Sequence, residues 1–330
     1  MKAIVYTRYG SPDVLEWAEI EKPAPKDDEV VIRVRAASVN PLDWHLMRGS
    51  PYLVRMMSGL RAPRNPRLGV DVAGEVEAVG KNVTQFKPGD EVFGSCEGAF
   101  AESVATRQST VVAKPSGVTF EQAASTPVAA ITALQALRDK ARIRPGQSVL
   151  INGAAGGVGT FAVQIAKSFG AVVTGVCSTR NVEMVRSIGA DHAVDYTQTD
   201  FTRSGQRYDV ILDCIGNHAL SAIRGALNPR GMYLMIGGKL DGWIDPLPSL
   251  LGAALRSLFI RQTLSFFLAR QSQKDLVVLG ELLQSGTVTP VIDRVYGLSE
   301  VPEAIRYLEE GHARGKVVIS TGWHAGGTAS

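Results

Sequence analysis

Cysteine is scarce in this chain: Cys96, Cys177 and Cys214 are the three among 330 residues. An odd number cannot pair fully within one chain, so a disulfide framework is excluded and a reducing compartment is expected. Charge of one sign is also lacking. Lys and Arg number 35 against 32 Asp and Glu, a net of +3, too little to argue for nucleic acid or a membrane as partner. The first residues, MKAIVYTRYG, lack the apolar run of a secretory signal. The longest apolar stretch, 247–269, is broken by Arg256 and Arg261, which argues against a bilayer span. A cytoplasmic protein without stable membrane insertion is expected. Hydrophobic residues at 45% and charged residues at 20% fit a globular chain of about two domains and exclude global disorder. Glycine is in excess, 34 residues, as where backbone turns tightly or approaches a ligand.

The pattern changes twice along the chain. The first 110 or so residues read as short strands and turns: 29–37 alternates apolar and polar, 70–79 and 90–93 continue, and Lys87-Pro88-Gly89-Asp90 and Glu97-Gly98 mark turns. A barrel or sandwich is predicted. Residues 120–140 read as helical, interrupted at Pro127. From Ser148 strands (148–151, 172–177, 193–196, 208–213, 231–236) alternate with helices (158–169, 182–188, 219–227), which predicts a doubly wound parallel sheet. After that, 247–270 reads as an apolar helix, 275–284 as an amphipathic helix, and Ser299 as the cap of a helix reaching Gly311. A last strand is predicted over 316–320, and 323–330 as a frayed Gly/Ala/Ser-rich tail.

Residues 147–170 carry the chemistry. A short apolar strand enters a glycine-rich run and a helix with Phe161, Ile165 and Phe169 on one face leaves it, the setting of a dinucleotide fingerprint. Gly156 and Gly157 let backbone approach a pyrophosphate, the helix N-terminus favours the anion, and Gly159 allows close helix–strand packing. Ala154 stands where the first fingerprint glycine is expected, followed by Ala155, Gly156, Gly157, Val158 and Gly159. Folds that choose NAD place a carboxylate at the end of the next strand. Here Cys177 is followed by Ser178, Thr179 and Arg180, a hydroxyl and a guanidinium that suit a 2′-phosphate. NADPH is the expected cofactor.

With Ala37-Ser38-Val39-Asn40-Pro41-Leu42-Asp43, Gly69-Val70-Asp71-Val72-Ala73-Gly74-Glu75-Val76, Phe86-Lys87-Pro88-Gly89-Asp90-Glu91-Val92, Gly98-Ala99-Phe100-Ala101-Glu102 and the glycine run, the chain resembles the medium-chain dehydrogenase/reductase superfamily, in its zinc-free quinone oxidoreductase branch. The resemblance implies an α/β protein: a GroES-like β-barrel domain over 1–122, a doubly wound Rossmann domain binding NADPH over 123–269, and a return to the first domain over 270–330, with the cofactor in the cleft between them. The resemblance also implies a homodimer.

The zinc alcohol dehydrogenases of that superfamily carry their catalytic histidine in a Gly-His-Glu signature. The matching place here is Gly69-Val70-Asp71, and the cysteine-bearing stretch corresponds to Ala37-Ser38-Val39-Asn40. Three cysteines also cannot form a four-Cys structural site, so no metal is expected. Without a Lewis acid, good hydride acceptors are expected as substrates, namely quinones and activated enones or enals. Two alternatives share the cofactor residues: an enoyl-thioester reductase, and a non-catalytic NADPH-binding interaction protein.

The resemblance also implies site residues. Asn40 lies by the nicotinamide ribose and substrate. His45 or Tyr52 hydrogen-bonds the developing oxyanion, the alternatives being a surface histidine and a packing tyrosine. Thr126 and Thr132 border the nicotinamide, and Tyr196 borders the 2′-phosphate. Cys214 and Ile215, then Ile236, Gly237 and Gly238, run along ribose and nicotinamide. Lys316 sits near the cofactor or is a surface lysine. Two segments depart from the pattern. Residues 50–66 form an arginine-rich excursion, read as a surface feature, a substrate-access loop or an interface. Residues 247–270 cover the active site, pack in a dimer or touch a membrane.

Overall fold

The computed structural model describes residues 1–236 and 262–322, and the chain divides into two compact units. Unit 1 comprises Met1–Val128, Gln271–Gln284 and Ile292–Ser330; unit 2 comprises Ala129–Arg270 and Ser285–Val291.

Unit 1 is built on strand β3, Glu29–Val39, which follows the hairpin of β1 (Lys2–Val5) and β2 (Glu16–Glu19). The helices α1 (Pro41–Arg48) and α2 (Tyr52–Ser58) come next, then β4 (Asp71–Val79), β5 (Glu91–Ser95), β6 (Ser103–Arg107) and β7 (Val111–Ala113). Valine and isoleucine on alternate positions of β3 give it a core face, with Val30, Ile32 and Val34 buried and Arg33 and Arg35 half-exposed. From Ala36 to Val39 the alternation stops and every residue is buried. β4 flanks β3 along its length, and the chain's last strand flanks its C-terminal half. β6 pairs the other half of that edge. The predicted strands of this region thus form one sheet, and the core lies between its faces.

Helix α3 (Phe120–Ala124) starts at Thr119, whose hydroxyl accepts the Gln122 N–H in a capping box. Pro127 begins a new helix, α4 (Pro127–Gln135), as the sequence pattern suggested, and Ala136–Ala141 continues it as a π-helical turn.

Among the described residues, unit 2 contains six strands: β8 (Ser148–Asn152), β9 (Val172–Cys177), β10 (His192–Asp195), β11 (Tyr208–Asp213), β12 (Leu227–Met235) and β13 (Thr263–Phe266). All pairs are parallel, in the order β10-β9-β8-β11-β12-β13. That is the 3-2-1-4-5-6 order of a Rossmann sheet, whose ligand crevice opens where the order reverses, between β8 and β11. The intervening helices are α5 (Gly157–Ser168), α6 (Val182–Ser187) and α7 (Leu220–Gly225).

Two expectations are corrected. Residues 262–270 are not helical: Thr263–Phe266 pairs with Met232–Met235 as an edge strand, because Leu264 and Phe266 alternate with polar residues at the strand period. The rest of the predicted 247–270 helix, like the tail 323–330, lies outside the described residues. Ser299 does not cap a helix. It lies within a 3-10 turn, Leu298–Glu300, where Glu300 accepts the Gly297 N–H. After α8 (Gln273–Gln284) and β14 (Ile292–Gly297), that turn leads into α9 (Val301–Glu309), and β15 (Lys316–Ser320) closes unit 1. β15 lies between β14 and β3, parallel to the first and antiparallel to the second.

Candidate active site

In unit 2 the glycine run follows β8 directly. Gly153 has φ +83°, so it, and not Ala154, makes the tight turn. Ala154 is buried, and its N–H donates to the Val176 carbonyl at 3.0 Å, leaving no donor for a ligand. The glycines at the turn are therefore spaced as Gly153, Gly156 and Gly159, one residue earlier at the start than the sequence pattern suggested. A Cβ on Gly159 would stand 2.1 Å from the Gly153 carbonyl oxygen and 2.8 Å from the Ala154 Cα. Only glycine lets helix α5 pack so close to the turn. A Cβ on Gly156 would meet only the Gly153 carbonyl oxygen, at 3.4 Å, so the backbone there is far less crowded than at Gly159. The N–H groups of Gly157, Val158 and Gly159 open α5 ahead of its first intrahelical bond. Backbone donors, a helix dipole and room for a group that no side chain fills suit a pyrophosphate.

The loop after β11 meets this turn: the Ile215 side chain would touch a Cβ on Gly153 at 2.9 Å. Asp213, buried at the end of β11, fixes that loop. Its Oδ1 accepts N–H groups from Ile215 and Gly216, both at 2.9 Å, and the Asn152 amide at 2.9 Å, while Oδ2 accepts the Tyr233 hydroxyl at 2.9 Å. Burial beside that carboxylate pushes the Tyr233 phenol well up. Sequence reasoning missed Asp213, although a lone carboxylate ending an apolar strand was the signal. Burial and the neighbouring Asp213 carboxylate push the Cys214 thiol well up. Ile236 donates its N–H to the Asp213 carbonyl at 2.9 Å. Gly237 and Gly238 lie outside the described residues.

At the end of β9, Cys177 is opposite Asp195 in register. Ser178, Arg180 and Tyr196 therefore gather at one end of the sheet, with Arg180 and Tyr196 exposed. The Ser178 hydroxyl accepts from the Asn181 amide at 3.2 Å. Asp195, which sequence reasoning passed over, is a carboxylate in this neighbourhood. It accepts four hydrogen bonds, from the Thr179 hydroxyl, the Thr197 N–H and hydroxyl, and the Gln198 amide. Those bonds, led by Thr179, hold its carboxyl below the usual range.

In unit 1 a buried polar cluster joins α1, β3, β4 and β15. Asn40 is 2% exposed and Lys316 3%, so Lys316 is not a surface lysine. Its Nζ lies 2.6 Å from Asn40 Oδ1, 3.3 Å from the Val39 carbonyl and 3.7 Å from Asp71 Oδ2. Asn40 Nδ2 donates to Asp71 Oδ2 at 2.9 Å and to the Ser38 carbonyl at 3.3 Å. Asp71 also accepts the Ser38 hydroxyl at 2.8 Å and the Val128 N–H at 3.0 Å. Asp43 accepts N–H groups from Asn40 at 2.8 Å and Gly69 at 3.2 Å. Burial pushes Asp43 up to about 7 and raises Asp71, and it lowers Lys316; the opposite charges of Asp71 and Lys316 resist both changes.

Thr126 is buried and donates its hydroxyl to the Gln122 carbonyl at 2.9 Å; Thr132 is half-buried on α4. His45, stacked on Trp44, has Nδ1 2.7 Å from the Ser50 carbonyl. A carbonyl only accepts, so Nδ1 carries the proton. Burial lowers the ring's pKa, which leaves Nε2 an acceptor. Tyr52 is 48% exposed at the start of α2, with the Arg55 guanidinium 4.4 Å from its ring centre.

Residues 26–116 match the family model for the alcohol dehydrogenase GroES-like domain, and residues 188–319 the model described as zinc-binding dehydrogenase. Over 97% of this chain, the sequence is 35% identical to the mitochondrial NAD(P)H oxidoreductase RTN4IP1 of Mus musculus, covering 89% of that protein. It is 32% identical to the chloroplast envelope quinone oxidoreductase homolog of Arabidopsis thaliana, covering 97% of this chain and 98% of that one. The quinone oxidoreductase structure from Coxiella burnetii superposes with a TM-score of 0.85 at 30% identity, over 97% of this chain and 99% of that one.

The chain belongs to the medium-chain dehydrogenase/reductase superfamily, in its quinone oxidoreductase branch. This oxidoreductase family uses a nicotinamide cofactor, and the Gly153–Gly159 cradle fits its pyrophosphate. Zinc fits less well. Val70 offers no ligand atom, and no group of three or more His, Cys, Asp or Glu side chains among the described residues could hold a metal. Asp43 and Asp71 are already engaged as described. No helix among the described residues is long and apolar enough to cross a membrane.

Proposed function

We propose that the protein is an NADPH-dependent reductase that passes hydride to a quinone or an activated enone or enal without zinc. The observation that carries this reading is the glycine cradle at the β8–β11 switch point, with Ser178 and Arg180 where an NAD enzyme would hold a carboxylate. When bound, NADPH supplies the hydride. The Gly157, Val158 and Gly159 amides, in the loop shaped by Ala154, Ala155 and Gly156, hold the pyrophosphate. Ser178, Arg180 and Tyr196 hold the 2′-phosphate. Cys214, Ile215 and Ile236 border the ribose and nicotinamide.

Tyr52 serves as hydrogen-bond donor to the oxyanion that develops as hydride arrives. His45, protonated on Nδ1 toward Ser50, contributes by fixing α1 against the turn at Ser50. The zinc-free reading is supported by Val70, Ser38 and the engaged carboxylates; a quinone or enone needs no Lewis acid because its own conjugation spreads the charge. A homodimer in the cytoplasm is the assembly and setting we propose, the reducing compartment being supported by three free thiols.

The test is oxidation of NADPH by 1,4-quinones, followed at the nicotinamide absorbance, with metal analysis of the purified protein. Quinone turnover without bound zinc is expected. Turnover of an enoyl thioester but no quinone would move the substrate class. Nucleotide binding without any turnover would make the protein a binder, and stoichiometric zinc would overturn the metal-free chemistry.

A further inference from the structure

We propose that helix α2 and the turn after it form a docking face for an anionic lipid bilayer. Leu53, Met56 and Leu60 are 62%, 65% and 69% exposed, and among the described large apolar side chains only Leu268 is more exposed. Leu53 and Met56, three positions apart, share one side of the helix, and Leu60 stands in the turn that follows Gly59, whose φ of +128° ends the helix. The opposite side is fastened to unit 1. Arg55 donates through Nε to the Gly49 carbonyl at 2.9 Å and lies 4.6 Å from the Tyr9 ring centre. Tyr9 donates its hydroxyl to the Gly59 carbonyl at 2.5 Å, and Arg64 N–H closes the turn on the Ser58 carbonyl at 2.7 Å. The apolar tips are therefore held outward by a fixed mount and are not the ends of a frayed loop.

Charge selects the occupant. From Trp44 to Val70 there is no Asp or Glu, and there are five arginines. Arg48 is paired with Glu309 and Arg55 is turned inward, while Arg61 and Arg64 stand exposed beside the apolar tips. Glu97 meets the stretch at its far end, through Asn65. Apolar tips ringed by arginine are the signature of a segment lying in the headgroup region of an anionic membrane. Three side chains on one short helix and the turn after it are far too small a patch for a stable protein interface, which needs about 800 Å² per partner. A bilayer, which closes around each tip, needs no such area. This face does not depend on the hydride acceptor assigned above.

The experiment is co-sedimentation of the full chain with vesicles of phosphatidylcholine alone, or of phosphatidylcholine mixed with phosphatidylglycerol, in the absence of nucleotide and quinone. Binding to the mixed vesicles is expected, with little to the neutral ones. The triple variant Leu53→Ser, Met56→Ser, Leu60→Ser and the double variant Arg61→Glu, Arg64→Glu should each lower the partition coefficient at least about tenfold. Both variants alter exposed side chains, so their unfolding midpoints should match the parent's. No binding to the mixed vesicles overturns the proposal, as does equal binding by parent and both variants, or equal binding to neutral and anionic vesicles. A face occupied by an acidic protein would give the first of these results.

Discussion

Lys316 Nζ lies 2.6 Å from Asn40 Oδ1, although 276 residues separate them. The contact fixes which end of the Asn40 amide is oxygen, because an ammonium only donates. Nδ2 is then turned to Asp71, and the start of α1 is set by the last strand of the chain. Lys316→Met should remove the cation that faces Asp71 and cost about 3–5 kcal/mol of stability, read by urea unfolding. Lys316→Arg should recover part of the loss. An unchanged midpoint for Lys316→Met would show that the cluster does not hold unit 1 together.

Asp43 gives a pH dependence of definite sign. Its carboxyl is raised from 3.8 to about 7 by burial, so the folded state binds the proton more tightly than the unfolded state. Its contribution is complete below about 4 and is lost as pH rises through about 7. Asp71, also raised, acts in the same direction, and Lys316, lowered by burial, acts in the opposite direction at higher pH. Asp43→Asn should flatten the fall in unfolding free energy across that window while costing about 1–3 kcal/mol overall, since one N–H loses its acceptor. A slope identical to the parent's would assign the titration to another group.

The two glycines of the cradle should separate folding from binding. Gly159→Ala puts a methyl against the Gly153 carbonyl and should destabilise unit 2 by about 1–3 kcal/mol. Gly156→Ala meets only the Gly153 carbonyl oxygen, at 3.4 Å, so the unfolding midpoint should hold while NADPH affinity, read by nucleotide fluorescence, falls. Equal affinity in Gly156→Ala and parent would place the pyrophosphate elsewhere.

Arg180→Ala tests nucleotide choice. Loss of one charge-assisted bond, about 1.5–3 kcal/mol, should reduce the preference for NADPH over NADH by roughly 10- to 150-fold. The ratio of kcat/KM values for the two nucleotides measures it, and an unchanged ratio removes Arg180 from the 2′-phosphate site.

Tyr52→Phe should lower kcat about a hundredfold if its hydroxyl stabilises the oxyanion, with KM for NADPH little altered. His45→Gln should leave kcat close to the parent's, because Nε2 has no proton to offer. The reverse ranking would give the donor role to His45.

Periodicity made much of the architecture legible. The strands 172–177, 208–213 and 316–320 occupy the residues that alternation and β-branching indicated, because each is pinned between neighbours on both sides. The edge strand Thr263–Phe266 was misread as helix: four residues with one partner carry too short a pattern to compete with the apolar run before them. The cradle was legible as a cluster, but its first glycine was misplaced. Gly153 differs from Ala154 by the sign of φ, which composition does not encode. The buried cluster around Asn40 was only half visible. Asn40, Asp43 and Asp71 stood in quoted motifs, yet nothing local to Lys316 signals that its ammonium is sealed under the first helix.

The placement of β15 has a consequence for synthesis. β3 leaves the ribosome early, but half of one of its edges stays unpaired until residues 316–320 have followed, and Asn40 waits as long for its ammonium. Among the described residues, the last strand of the Rossmann sheet ends at residue 266. The inserted unit can therefore mature on the nascent chain, while the unit that surrounds it in sequence must keep an apolar strand edge open and exposed to mispairing.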